Sequence, residues 1–241
     1  MVYPERGRGA IKMINTNIIF YALLGGILPA LIWLAFWLRE DYKHPEPRGL
    51  ILRTFLLGMG AVILVLPFQK AIDALLPGMA FAAILFWVIF EEVFKFGGAY
   101  IGGLKSVEDN EPVDPIIYMI TAALGFVALE NALFILGPLL IGEELTRSVI
   151  AGNLRFIGAS LLHVVSSGIV GVALAFSFYK SRRRRITIAV LALILAIAFH
   201  TGFNLAIVHW NNSGALLAFG LVWIGVILLL LAFEKAKTIA R

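Results

Sequence analysis

Seven apolar stretches, each long enough to cross a bilayer, set the fold of this 241-residue chain. They cover about 17–38, 50–68, 79–103, 115–140, 150–179, 186–209 and 214–233. A helix needs about 20 mostly apolar residues to span the hydrocarbon core. Within lipid every backbone N–H and C=O must be satisfied inside the protein, which leaves only helices and closed barrels. Continuous runs of this length, without strand-like alternation, fit helices. With 61% hydrophobic residues, 15% charged residues and a mean hydropathy of +0.93, the chain is too apolar for an ordinary soluble domain. The expected fold is all-α, a polytopic transmembrane helical bundle of about seven spans. The connections are short and carry breakers or charge, as in His44-Pro45-Glu46-Pro47 and Leu76-Pro77-Gly78. None could hold a further domain, so residues 1–241 read as one integral membrane domain.

The basic residues report orientation. The positive-inside rule puts Arg39, Lys43, Arg48, Arg53, Lys105, Lys180, the Arg182–Arg185 run and the C-terminal Lys235, Lys237 and Arg241 on the cytoplasmic side. Arg6, Arg8, Lys12, Lys70 and Arg147 fall on the other side. The N-terminus is therefore expected outside and the C-terminus in the cytoplasm of a prokaryotic plasma membrane. The net charge of +5 belongs to these loops, and no nucleic-acid partner is expected. Trp33, Phe36 and Trp37 stand where a cleaved leader would need small residues, so the first apolar run is expected to be a retained span. With no cysteine, disulfides and thiolate metal sites are excluded.

Ionisable groups interrupt the apolar pattern in four spans. A charge at the bilayer centre costs roughly 2.5–3.5 kcal/mol on insertion scales, yet the third segment carries Glu91, Glu92 and Lys95. Later segments carry Glu130, His163 and His200. Counted from the ends that alternating spans place on one side of the membrane, these groups lie at depths of roughly 13–20 Å. They fall in one mid-membrane slab, which suggests a buried polar site within residues 79–209. Glu91, Lys95, Gly98 and Gly102 share a stripe whose glycines permit close helix approach. Ala159, His163, Ser167 and Gly171 form a similar stripe, and Lys95 can reach either glutamate. Paired carboxylates in a low dielectric suit a base poised for water activation. His200 and Asn204, one turn apart, can donate in one direction, as stabilising an oxyanion requires. Glu130, followed by Asn131, could be a ligand, a partner that orients a histidine, or a counter-ion to Lys95 or Arg155; the supporting role is favoured. Arg155 lies near a helix end, where it can snorkel to the surface or face substrate.

Glu91-Glu92-x-x-Lys95, Glu130-Asn131-x-x-Phe134, His163-x-x-x-Ser167 and His200-x-x-x-Asn204, each on its own span and in this order, resemble the PrsW intramembrane proteases. That family belongs to the superfamily of CAAX prenyl proteases and bacteriocin-processing enzymes. The resemblance covers about residues 80–210 and implies cleavage of membrane-anchored proteins, the namesake activity being the first cut of an anti-sigma factor. It implies Glu91 as the base, His163 as its partner, His200 with Asn204 as the oxyanion hole, and Glu92 in support of Glu91. Family members are usually labelled metal-dependent. Glu91, His163 and His200 could bind Zn²⁺ with a position open for water, and a metal-free glutamate–histidine mechanism needs the same residues. Two departures stand out. Phe96 occupies the position where CAAX proteases carry arginine, which disfavours a prenylated peptide, and Phe134 stands where the PrsW pattern has tyrosine.

Two other functions use the same kinds of residue. Buried Glu, Lys and His also suit a proton- or cation-coupled transporter, although the odd number of spans and the lack of a repeat disfavour it. A non-catalytic membrane scaffold would not need both glutamates together with the whole His/Asn set.

Overall fold

The computed structural model describes residues 16–42, 44–140, 145–209 and 212–239. They form seven helices and no strand: α1 Thr16–Glu40, α2 Arg48–Leu75, α3 Ala80–Ala99, α4 Asp114–Leu140, α5 Leu145–Phe176, α6 Arg182–His209 and α7 Asn212–Ala236. A single π turn, Tyr100–Leu104, extends α3. Arg6, Arg8, Lys12 and the side chains of Arg147 and Arg155 lie outside the described residues.

Six of the helices are long and apolar enough to cross a membrane: Asn17–Glu40, Arg48–Leu75, Asp114–Leu140, Gly158–Phe176, Arg182–Val208 and Leu216–Ala236. The expectation of about seven spans is close to this. The helix that falls short is α3, whose 20 residues include Glu91, Glu92 and Lys95. One expected boundary moves further than the rest. The second apolar run stops at residue 68, whereas α2 runs on through Pro67 to Leu75 and carries Gln69, Lys70 and Asp73.

The centre of the bundle is α4, whose side chains are buried without a break from Asp114 to Ala128. A helix that is apolar all round belongs in an interior. It packs against α1, α2, α3 and α5, while α3 lies between α2 and α6. Glycines set the close crossings, as membrane helices require where backbones must approach. A Cβ at Gly58 would collide with the carbonyl oxygen of Ala122, and one at Gly125 with that of Phe55. On α3, Gly98 meets the backbone of Leu57 and Gly102 meets Thr54, so the stripe that carries Glu91 and Lys95 packs on α2.

At the end of the bundle where α1 and α7 finish, Asp41, Glu46 and Asp114 are buried together, and the Tyr118 hydroxyl donates to Glu46. Burial, then the nearby charges of Asp114 and Glu111, push the Asp41 carboxyl from 3.8 up to about 7. Burial likewise raises Glu46 from 4.5 to about 8, against the lowering effect of the Tyr118 hydrogen bond. Both carboxyls hold protons more tightly in the folded state than in the unfolded one. Their contribution to stability is therefore complete below pH 4 and lost as pH rises through about 7–8. The unfolding temperature in detergent is expected to fall between pH 5 and 8, and Asp41→Asn to flatten that fall. An unfolding temperature that rises across this range in the wild type would contradict the assignment.

Candidate functional site

Five helices bring polar side chains to one point in the interior. From α3 come Glu91, Glu92 and Lys95, at 6%, 1% and 0% exposure. From α5 come His163 and Ser166, from α6 His200, from α4 Glu130, and from α2 Gln69. In an apolar interior each of these groups needs partners, because an unpaired buried charge is costly.

The partners fix the roles of the atoms. Lys95 Nζ donates to Glu92 Oε1 at 2.6 Å and to His163 Nδ1 at 2.9 Å. An ammonium has no acceptor, so Nδ1 accepts and the ring proton of His163 sits on Nε2. Nε2 in turn lies 3.1 Å from Glu130 Oε2 and donates to it. Glu92 Oε1 also receives the Ser166 hydroxyl at 2.9 Å and His200 Nδ1 at 2.7 Å. With Nδ1 held by Glu92, His200 turns Nε2 toward Glu91 Oε2, 3.7 Å away. The other oxygen of Glu91 accepts from Gln69 Nε2 at 2.9 Å. The two histidine rings meet edge to face with centroids 4.9 Å apart, and Phe126 packs against His163.

Two neighbouring carboxylates thus have different surroundings. Glu92 is the anchor that collects Lys95, Ser166 and His200. Glu91 lines a cavity of about 660 Å³ with Gln69, Asp73, Trp87, Glu130, His163 and Asn204. A second cavity, of about 390 Å³, shares Asp73, Ile84, Trp87 and Val208 with the first and reaches the turn at Leu76–Met79. A smaller cleft of about 150 Å³ between α2 and α4 is lined by Gln69, Glu91 and Glu130 together with Leu66, Leu133 and Phe134.

The expected residues do not all meet in the expected way. His200 is 2% exposed and tied to the carboxylates, whereas Asn204, one turn on, faces the cavity. Ser166, rather than Ser167, bonds Glu92, and the Ser167 hydroxyl is buried without a hydrogen-bond partner. Asn131 reaches Ser160 at 3.4 Å. Gln69 lies one position beyond the apolar run that ends at residue 68, and its signal in the sequence is a polar amide continuing an apolar helix.

The donor set suits a metal ion. One donor atom each from Glu91, His163 and His200 lie within 4.8 Å of one another. Two imidazoles and one carboxylate leave a fourth position open, the arrangement of catalytic zinc sites, and to ligate an ion His163 would have to give up Lys95 at Nδ1 or Glu130 at Nε2. Glu92 already holds the second nitrogen of His200, as ligating histidines require.

A family profile described as PrsW family intramembrane metalloprotease matches residues 46–232. The chain is similar to Protease PrsW of Halalkalibacterium halodurans, at 26% identity over 223 residues, covering 90% of this chain and 96% of the relative. Protease PrsW of Geobacillus kaustophilus is 28% identical over 165 residues, 68% of each chain. Protease PrsW of Bacillus subtilis is 26% identical over 199 residues, 80% of this chain and 85% of the relative. No solved structure matches the chain.

Proposed function

The chain belongs to the PrsW family of intramembrane metalloproteases, and on that premise we propose that it hydrolyses a peptide bond of a membrane-anchored protein in the cavity beside Glu91. The observation that carries this reading is the division of labour between the two glutamates: Glu92 gathers Lys95, Ser166 and His200 on its Oε1, while Glu91 lines the cavity. In this reading a cavity water loses a proton to Glu91 Oε2 as its oxygen attacks the scissile carbonyl carbon. The Asn204 amide donates to the oxyanion that forms. When the C–N bond breaks, Glu91 returns the proton to the leaving nitrogen. His200, anchored by Glu92, faces Glu91 Oε2 across 3.7 Å, and His163, fixed by Lys95 and Glu130, lines the same cavity.

Glu91, His163 and His200 are the residues that would hold a divalent ion, with Zn²⁺ the best match to two imidazoles and a carboxylate. When bound, such an ion would polarise the carbonyl and acidify a bound water. The α3 helix is proposed as a seventh span, its charges tolerated because they face protein. The basic loops favour an outward N-terminus and a cytoplasmic C-terminus.

The cavity volume limits the substrate. Sites of roughly 300–1,000 Å³ hold drug-sized ligands, whereas a helix with its side chains is about 10–12 Å across. A cavity of about 660 Å³ admits a few unwound residues rather than an intact helix. Segments of an anti-sigma-factor-like protein that lose helical structure easily are the preferred class. The test uses the purified single chain in liposomes with a single-span reporter carrying a glycine- and proline-containing segment. Two fragments cut within the span are expected. An intact reporter together with proton-coupled solute uptake would replace the protease reading by the transporter one.

A further inference from the structure

The amide of Gln69 reaches into the site from α2. Because α2 continues two turns past Pro67, it delivers this side chain against Glu91, and Nε2 donates to Oε1 at 2.9 Å. Lys95 is committed elsewhere, to Glu92 and His163. A carboxylate that must take up a proton or a metal ion has two needs: a fixed orientation and retained basicity. A cation would supply the first at the expense of the second, since an opposite charge nearby favours the ionised form. A neutral amide N–H orients the group with less loss of basicity. With Oε1 engaged, the carboxylate plane is set so that Oε2 faces His200 Nε2 at 3.7 Å. Gln69 also stands, with Glu91 and Glu130, where the cleft between α2 and α4 meets the larger cavity.

We propose that Gln69 is a positioning residue that holds Glu91 through Oε1 and so sets the direction of Oε2, the oxygen turned toward His200. The inference rests on the reading of Glu91 as the reacting carboxylate.

Partners that orient catalytic groups are typically worth about 10–100-fold in activity. The experiment measures cleavage of the liposome reporter by the full chain and by Gln69→Leu, Gln69→Glu and Glu91→Gln. Gln69→Leu keeps the volume and removes the donor; kcat is expected to fall by about 10–100-fold with KM within about twofold. Gln69→Glu restores a donor only while the new pair of carboxyls holds a proton. Its activity is expected near the wild-type value at acid pH and to fall steeply, relative to the wild type, as pH rises. A merely packing role would not create that limb.

Wild-type kcat in Gln69→Leu overturns the proposal. So does a Gln69→Glu profile that runs parallel to the wild type. Should Gln69→Leu fail to fold, the pH profile of Gln69→Glu decides alone. An active Glu91→Gln would overturn the functional reading itself, whereas an inactive one beside a fully active Gln69→Leu would overturn only the role of Gln69.

Discussion

Replacing Lys95 by methionine is expected to cost about 3–5 kcal/mol of stability, the usual penalty for removing one partner of a buried ion pair. Lys95 is fully buried in the middle of the bundle, and its ammonium holds Glu92 at 2.6 Å and His163 at 2.9 Å. Methionine fills much of the space but leaves Glu92 in an apolar interior with Ser166 and His200 as remaining donors, and its Oε2 is already without a hydrogen-bond partner. Replacing both members of the pair removes the stranded charge. Lys95→Met combined with Glu92→Leu should therefore be more stable than the sum of the two single losses predicts, a coupling that a double-mutant cycle isolates. Denaturant titration of the purified protein in mild detergent measures all four states. A loss below about 1 kcal/mol for Lys95→Met would place this lysine in contact with water.

Glu91→Gln is expected to lower cleavage by about 10²–10⁴-fold, the usual contribution of a positioned general base, with the unfolding midpoint little changed. The substitution keeps the shape of the side chain and removes its ability to take a proton. The neighbouring carboxylate behaves differently. Glu92→Gln weakens the hub that binds Lys95, Ser166 and His200, so lost stability should accompany lost activity. Opposite balances of these two effects at adjacent positions would separate the reacting glutamate from the anchoring one. Equal loss of stability at both positions would contradict that division.

Much of this architecture was legible in the chain because apolar length is a strong signal and Glu91, Glu92, His163 and His200 stand out against it. Depth along the helices was legible too, since the rise per residue is constant. Rotation was not. Whether Lys95 pairs with Glu91 at i,i+4 or Glu92 at i,i+3 depends on how α3 turns against α5 and α6, and spacing alone allowed both. Spacing likewise gave no sign that Ser166 would bond Glu92, or that Asn204 would line the cavity while His200 is buried against the carboxylates. Gln69 was hidden because α2 carries its helix beyond the apolar run into polar residues. Asp41, Glu46 and Asp114 sit at helix ends and in connections, where charges are ordinarily solvated; their burial follows from the packing of the bundle ends, which hydropathy does not encode.

Hydrolysis beside Glu91 requires that α3, α5 and α6 bring Glu91, His163 and His200 to one point inside the bundle. The native chain contains no cysteine, so an introduced pair reports without background. The direct measurement is cross-linking in native membranes, with a short thiol-specific reagent, of the paired variants Glu91→Cys with His200→Cys and His163→Cys with His200→Cys, read by mass spectrometry of the joined peptides. Both pairs are expected to cross-link efficiently, while a pair formed by Glu91→Cys with Lys235→Cys at the far end of α7 does not. Failure of both site pairs in folded protein would show that the helices do not converge there.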